Sequence, residues 1–160
     1  MSHHQMPVDP RDRLIPAEKV NAVPRYLMYS VFQTIAPVDA DMVEPAEMAI
    51  GDAGVTIRGW YDIGGFRADA DLLLWSLCDV PTALQAAYHG LRASRLGAAL
   101  RPVWSCVGVH RPAEFNRGHV PACFAGVAPR PWLCVYPFVR SYDWYVMDDA
   151  QRSRILAEHG

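Results

Sequence analysis

Twelve residues near the C-terminus, Cys134 to Tyr145 (CVYPFVRSYDWY), gather Tyr136, Tyr142, Tyr145, Trp144 and Phe138 around one cation, Arg140, with Asp143 the single acid. This composition sets oxidisable rings beside a guanidinium. A phenol such as Tyr136 can give up an electron and a proton and then draw hydrogen from a neighbouring carbon, while its oxygen hydrogen-bonds a carboxylate. Pro137 holds Tyr136 in extended backbone. Arg140 carries a permanently charged group that pairs two-pronged with carboxylates, and Arg130 offers the same group from the same region. His159 stands further on, at the end of LAEHG, and His119 lies in a glycine-containing loop. Imidazole titrates near neutral pH, so it suits either a metal ligand or a general base.

Each of these residues has a plainer reading beside it. Tyr136 also fits an ordinary strand tyrosine, and Arg140 and Arg130 fit solvated surface cations. His159 fits a C-terminal-turn histidine that complements the helix dipole. His119 fits a surface loop. Trp144 and Tyr145 are neighbours on a segment read as extended, where successive side chains point to opposite faces, so one of the pair faces a pocket; Trp144 is taken as that one. Trp60, Trp75, Trp104 and Trp132 are read as core or subunit contact.

The elements that must position these groups follow from periodicity. Residues 1–24 are polar and proline-punctuated, and are read as an extended arm. Arg25–Thr34 (RYLMYSVFQT) has a strand composition. Asp39–Ile50 carries weak helical signals limited by Pro45. Val55–Ile63 and Asp69–Cys78 read as strands, the second an apolar run suited to a buried sheet. Pro81 opens a helix reaching about Ala99, with Leu84, Ala87, Tyr88, Leu91 and Leu96 on one face. Arg101–Val109 is a fourth strand. The order β-α-β-β-α-β is that of a ferredoxin-like α+β unit, spanning residues 25–111. A proline- and glycine-rich linker, 112–131, follows. Trp132–Val139 then reads as the first strand, and Met147–Glu158 as the first helix, of a second, incomplete unit over 132–160. This points to a chain cut short or completed by a partner.

Composition bounds the function classes. Fifteen Lys plus Arg against 17 Asp plus Glu give a net charge of −2, and Lys19 is the single lysine, so there is no basic surplus for nucleic acid. Cys78, Cys106, Cys123 and Cys134 lack CxxC spacing and read as free thiols of a reducing cytoplasm. No apolar signal core and no run of about 18 apolar residues is present, so neither a signal peptide nor a membrane span is expected.

Four stretches together resemble the chlorite dismutase-like superfamily, and within it the actinobacterial-type coproheme decarboxylases: GWYDIGGFRADADLLLW (Gly59–Trp75), PVWSCVGVHRPAEFNRGHVPA (Pro102–Ala122), YPFVRSYDWY (Tyr136–Tyr145) and LAEHG (Leu156–Gly160). The resemblance runs from about Tyr26 to Gly160 and implies two tandem ferredoxin-like halves, of the dimeric α+β barrel type, in a ring-shaped homopentamer. It implies an enzyme of heme biosynthesis. Its substrate and redox centre is iron coproporphyrin III (coproheme), and hydrogen peroxide drives oxidative decarboxylation of two propionates to give heme b. By resemblance His159 is the proximal iron ligand, Tyr136 the radical-forming tyrosine, His119 the distal histidine that takes the peroxide proton, Trp144 a residue near the propionates and Arg140 a cation beside one of them. Two alternatives stay open: a chlorite dismutase-like or peroxidase-like heme protein, and a non-catalytic ferredoxin-like oligomerisation module.

Overall fold

The computed structural model describes residues 9–113 and 117–159, without the side chains of Glu158 and His159. The N-terminal segment, expected to be extended throughout, contains one short helix, α1 (Ala17–Val20). The order expected for the first unit is then found: β1 (Arg25–Thr34), α2 (Val43–Asp52), β2 (Thr56–Asp62), β3 (Leu72–Cys78), α3 (Pro81–Ala93), α4 (Arg95–Ala98) and β4 (Leu100–His110). The strands form one antiparallel sheet in the order β2-β3-β1-β4, the ferredoxin-like arrangement.

Local chemistry explains the boundaries. A 3-10 turn over Ala40–Met42 leads into α2, and Pro45 sits in its first turn, where the missing N–H has no intrahelical acceptor anyway. Between β2 and β3 the chain reverses at Gly65, whose φ of +81° suits glycine, and the loop is closed by Ile63 N–H donating to the Asp71 carbonyl at 2.8 Å. The helix expected to run unbroken from Pro81 to Ala99 is in fact two. Ser94 is extended (φ −76°, ψ 164°), its hydroxyl donates to the Leu91 carbonyl at 2.7 Å, and it accepts the Gly97 N–H at 3.1 Å as the cap of α4. Arg92 then donates to the Gly97 and Leu100 carbonyls, satisfying the end of the short helix.

One face of the sheet carries Met28, Phe32, Leu74 and Cys78 against Ala46 and Ile50 of α2 and Leu84, Ala87 and Leu91 of α3. Phe32 is fully buried, and truncating it to alanine would cost about 3–5 kcal/mol. The helices approach closely where Gly90 faces Ala49: a Cβ there would lie 3.1 Å from the Ala49 carbonyl oxygen.

The opposite face is covered differently. Val31, Ala70 and Leu73 form a second cluster, with Tyr29, Tyr61, Trp75, Leu133 and Val135 packed around it. Leu133 and Val135 belong to the segment expected to be a strand over Trp132–Val139. That segment is not a strand in the structure, although its side chains alternate, with Leu133 and Val135 half-buried and Cys134 and Tyr136 exposed. A strand needs a neighbour for its backbone groups, and residues 132–159 contain no second strand to pair with it. Two helices follow, α5 (Tyr142–Val146) and α6 (Asp149–His159), the latter close to the expected Met147–Glu158. No helix among the described residues is long and apolar enough to cross a membrane.

The N-terminal arm and the 112–131 linker hold each other. Arg13 N–H donates to the Gly126 carbonyl at 2.8 Å and Ile15 N–H to the Ala125 carbonyl at 2.9 Å. Gly126 (φ +80°) must be glycine here, since a Cβ would fall 1.9 Å from the Arg13 carbonyl oxygen.

Candidate functional site

Arg140 directly precedes Ser141, the residue before α5, and Trp144 lies in that helix. The four-residue spacing brings the Arg140 guanidinium to 5.0 Å from the centre of the Trp144 ring. The sequence reading took this segment as extended. In the helix, successive residues differ by about 100° rather than pointing to opposite faces, and Trp144 is half-buried while Tyr145 is exposed. Tyr136 and Phe138 flank Pro137 with ring centroids 6.4 Å apart. Both rings are largely exposed, as are Val139, Tyr142 and Val146. The site stretch is therefore an open apolar and aromatic surface bearing one guanidinium.

The other candidates are spread around it. His119 is exposed, in the loop after Gly118. Among the described residues no hydrogen bond or ring contact joins His119 or Arg140 to Tyr136. His159 is the last residue of α6; its backbone is helical, and its side chain lies outside the described residues. Arg130 is already engaged by two carboxylates, Asp9 at 2.5 Å and Asp12 at 3.2 Å, which removes it as a free carboxylate receptor. The Arg11 side chain, hydrogen-bonded to Asp9, holds that carboxyl well below the usual range, with Arg130 adding to it. Asp12 is lowered first by the Ala128 N–H it accepts and then by Arg130. A cleft of about 530 Å³ beside Arg130, lined by Arg11, Arg58, Trp60 and Tyr61, contains neither Tyr136 nor Arg140.

Trp132, read from sequence as core or subunit contact, is mostly exposed and meets Phe66 edge-on at 6.2 Å. His110 is buried: its Nε2 lies 3.0 Å from Asn21 Oδ1, and Asn21 Nδ2 donates to the Arg117 carbonyl at 2.8 Å. The sequence reading gave no shared place to Trp75, Tyr29 and Cys106, which strand register sets side by side on the sheet's second face, with the Arg58 guanidinium 5.4 Å from the centre of the Trp75 ring. The alternation within β1 was the available signal, but pairing is non-local.

A family model described as chlorite dismutase matches residues 39–160. The chain belongs to the chlorite dismutase family. It is 47% identical over 152 residues to the coproheme decarboxylase of Mycolicibacterium smegmatis, covering 89% of this chain and 65% of that relative's length. Among solved structures it is similar to a mutant chlorite dismutase from Candidatus Nitrospira defluvii, with a TM-score of 0.53 and 17% identity over 89% of this chain and 67% of that one. The imidazole complex of chlorite dismutase from the same organism gives a TM-score of 0.53 and 16% identity, over 84% of this chain and 63% of that one. These structural likenesses bear on the fold, which is the ferredoxin-like α+β unit described above.

Proposed function

We propose that this chain takes part in the hydrogen peroxide-dependent oxidative decarboxylation of two propionates of coproheme III to give heme b, in heme biosynthesis. The observation that carries this reading is the 47% identity to a coproheme decarboxylase, over a stretch that takes in most of the chain. The residues present fit such a substrate. A flat macrocycle with anionic arms calls for apolar and aromatic surface beside a fixed cation, and the exposed rings around the Arg140–Trp144 stack are of that chemistry.

Bound coproheme supplies the iron and, with hydrogen peroxide, the oxidising power. The chain's own groups have separate tasks. The Arg140 guanidinium pairs with a propionate and orients it. Trp144 lies beside the propionates and holds Arg140 by its ring. The Tyr136 phenol loses its hydrogen atom to the peroxide-derived oxidant and then takes one from a propionate side chain; the carbon radical left behind gives a second electron to that oxidant as carbon dioxide leaves and the vinyl group forms. His119 takes the peroxide proton on an imidazole nitrogen. His159 is the residue that would ligate iron through a neutral imidazole. The residue ranges 25–111, 112–131 and 132–160 are a first ferredoxin-like domain, a linker and the start of the heme-binding one. The intact protein works as a cytoplasmic homo-oligomer, a homopentamer.

A second reading, chlorite dismutase-like or peroxidase-like chemistry, is favoured by the family description itself. One experiment separates the two. The chain is titrated with coproheme while the Soret band is followed, then peroxide is added and products are analysed by mass spectrometry. Stepwise loss of carbon dioxide supports decarboxylation. Binding with bleaching but intact propionates supports the second reading, and no binding defeats both for this chain.

A further inference from the structure

A single carboxamide ties the end of β4 to the loop that leaves it. Asn21, the residue that ends α1, donates from Nδ2 to the Arg117 carbonyl at 2.8 Å, and its Oδ1 lies 3.0 Å from Nε2 of His110, the last residue of β4. These contacts fix their own polarity. A carbonyl only accepts, so the Asn21 nitrogen must face Arg117 and its oxygen must face His110. That oxygen also only accepts, so the His110 nitrogen facing it carries the hydrogen. His110 is buried and pairs in register with Arg25 of β1, which makes it a fixed point of the sheet.

His119 lies two residues beyond the held carbonyl, with Gly118 between. Two residues span at most about 7 Å, so a fixed Arg117 confines the His119 backbone to a small volume. The other side is held as well. Pro121 has a fixed φ and keeps Val120 extended. Its carbonyl accepts the Phe124 and Ala125 N–H groups, both at 3.0 Å. Phe124 is buried, with its ring centroid 5.9 Å from that of His110. His119 is therefore bracketed by two anchors that both end on His110. Gly118, without a Cβ, is the loosest joint between them. Its nitrogen shares one rigid peptide plane with the Arg117 carbonyl, so the Asn21 hydrogen bond holds that joint directly.

We propose that Asn21 is a positioning residue for His119: its carboxamide fixes the turn from which His119 leaves, so that the imidazole is presented to hydrogen peroxide in one place. This rests on the reading above in which His119 takes the peroxide proton. Such a transfer needs the imidazole nitrogen within about 2.6–3.2 Å of the oxygen that gives up the proton. A base on a loose turn spends most of its time outside that range. Asn21 takes no part in the transfer itself; it acts through the backbone it holds. The sequence gives no sign of the arrangement, because 89 residues separate Asn21 from His110.

Asn21→Asp isolates the tie. The carboxylate still accepts from His110, but it has no hydrogen for the Arg117 carbonyl. The 160-residue chain and this variant are first compared without porphyrin, by nitrogen-15 relaxation. The order parameters of the Gly118 and His119 amides are expected to fall from the rigid value of about 0.85 to below about 0.6, with those of β4 unchanged. With coproheme added, the Soret titration is expected to stay the same and the rate of reaction with peroxide to fall about tenfold, a part of the hundredfold or more that a general base contributes. His119→Ala removes that whole contribution, and adding Asn21→Asp to it is expected to cost nothing further, because both act through one imidazole. A purely structural loss would be additive instead. Unchanged order parameters, loosening that extends to β4, an unchanged peroxide rate or additive losses each overturn the proposal. A parent chain that binds no coproheme defeats the underlying reading, which its own titration shows, and the order parameters still decide whether Asn21 holds the turn.

Discussion

The Arg140 guanidinium lies 5.0 Å from the centre of the Trp144 ring, four residues on. The stack fixes a cation that the exposed backbone around it would otherwise leave free to rotate. Under the proposed function this cation receives a propionate. Arg140→Ala is expected to weaken coproheme binding by about tenfold or more, the loss of one charge-assisted hydrogen bond of about 1.5–3 kcal/mol. Arg140→Lys should recover only part of it, since an ammonium lacks the flat fork and the stacking. Soret titration of the three proteins checks this.

Tyr136 is 70% exposed. Removing its hydroxyl therefore costs the fold little, within about 0.5 kcal/mol. Tyr136→Phe should bind coproheme normally and fail to release carbon dioxide on addition of peroxide. Turnover at the original rate in this variant would remove Tyr136 from its role. Under the proposed ligation by His159, His159→Ala is expected to give the complementary result, a changed Soret position on binding.

How far the sequence could be read depended on whether a feature was local. Arg25–Thr34 was legible residue for residue, since its aromatic and β-branched composition is a local property. The break at Ser94 was not legible: Leu91 and Leu96 keep the apolar spacing through it, and only the cap to Gly97 reveals the turn. Trp132–Val139 has a strand's alternation but lacks a ladder partner, a non-local requirement. At the site, the side-chain types of Tyr136, Arg140 and Trp144 were legible. The stack between the last two was not, because it depends on α5, a five-residue helix that the extended reading of YDWY passed over.

Gly97 tests the break at Ser94. A Cβ there would lie 1.9 Å from the Leu91 carbonyl oxygen and 2.8 Å from Arg92 Cα, both backbone, so relief requires moving the end of α3. Gly97→Ala should destabilise the chain by about 2 kcal/mol or more, against the gain of a few tenths usual where alanine fits. Urea unfolding with an unchanged slope and a lower midpoint is the expected result.

The arm is held by ion pairs whose carboxylates are both depressed. Asp9 and Asp12 therefore contribute stability that is present above their unfolded values and lost as pH falls through their lowered folded ones, so the clamp on Arg130 persists into acid solution. The pairs are partly exposed, and Arg130→Ala should cost no more than about 1 kcal/mol globally. Its effect should be local, seen as faster proteolytic cleavage within residues 9–20 at neutral pH, with the sheet's own protection unchanged.

His110 gives a pH dependence of the same sign at higher pH. Burial first, and then the Arg25 cation, lower its pKa below the ordinary 6.5. The unfolded chain thus binds a proton more readily than the folded one, and stability must fall as pH drops from above 6.5 toward the lowered folded value, below which the loss is complete. The neutral ring also has a structural task, since its Nε2 meets Asn21 Oδ1 and so ties α1's end to the linker through the Arg117 carbonyl. His110→Gln keeps a polar group at that place without a titration. Its stability measured by urea unfolding between about pH 5 and 8 should be flatter than that of the parent chain. A parent curve that is already flat over that range, or a His110→Gln curve with the same slope, would show that His110 is not the titrating group.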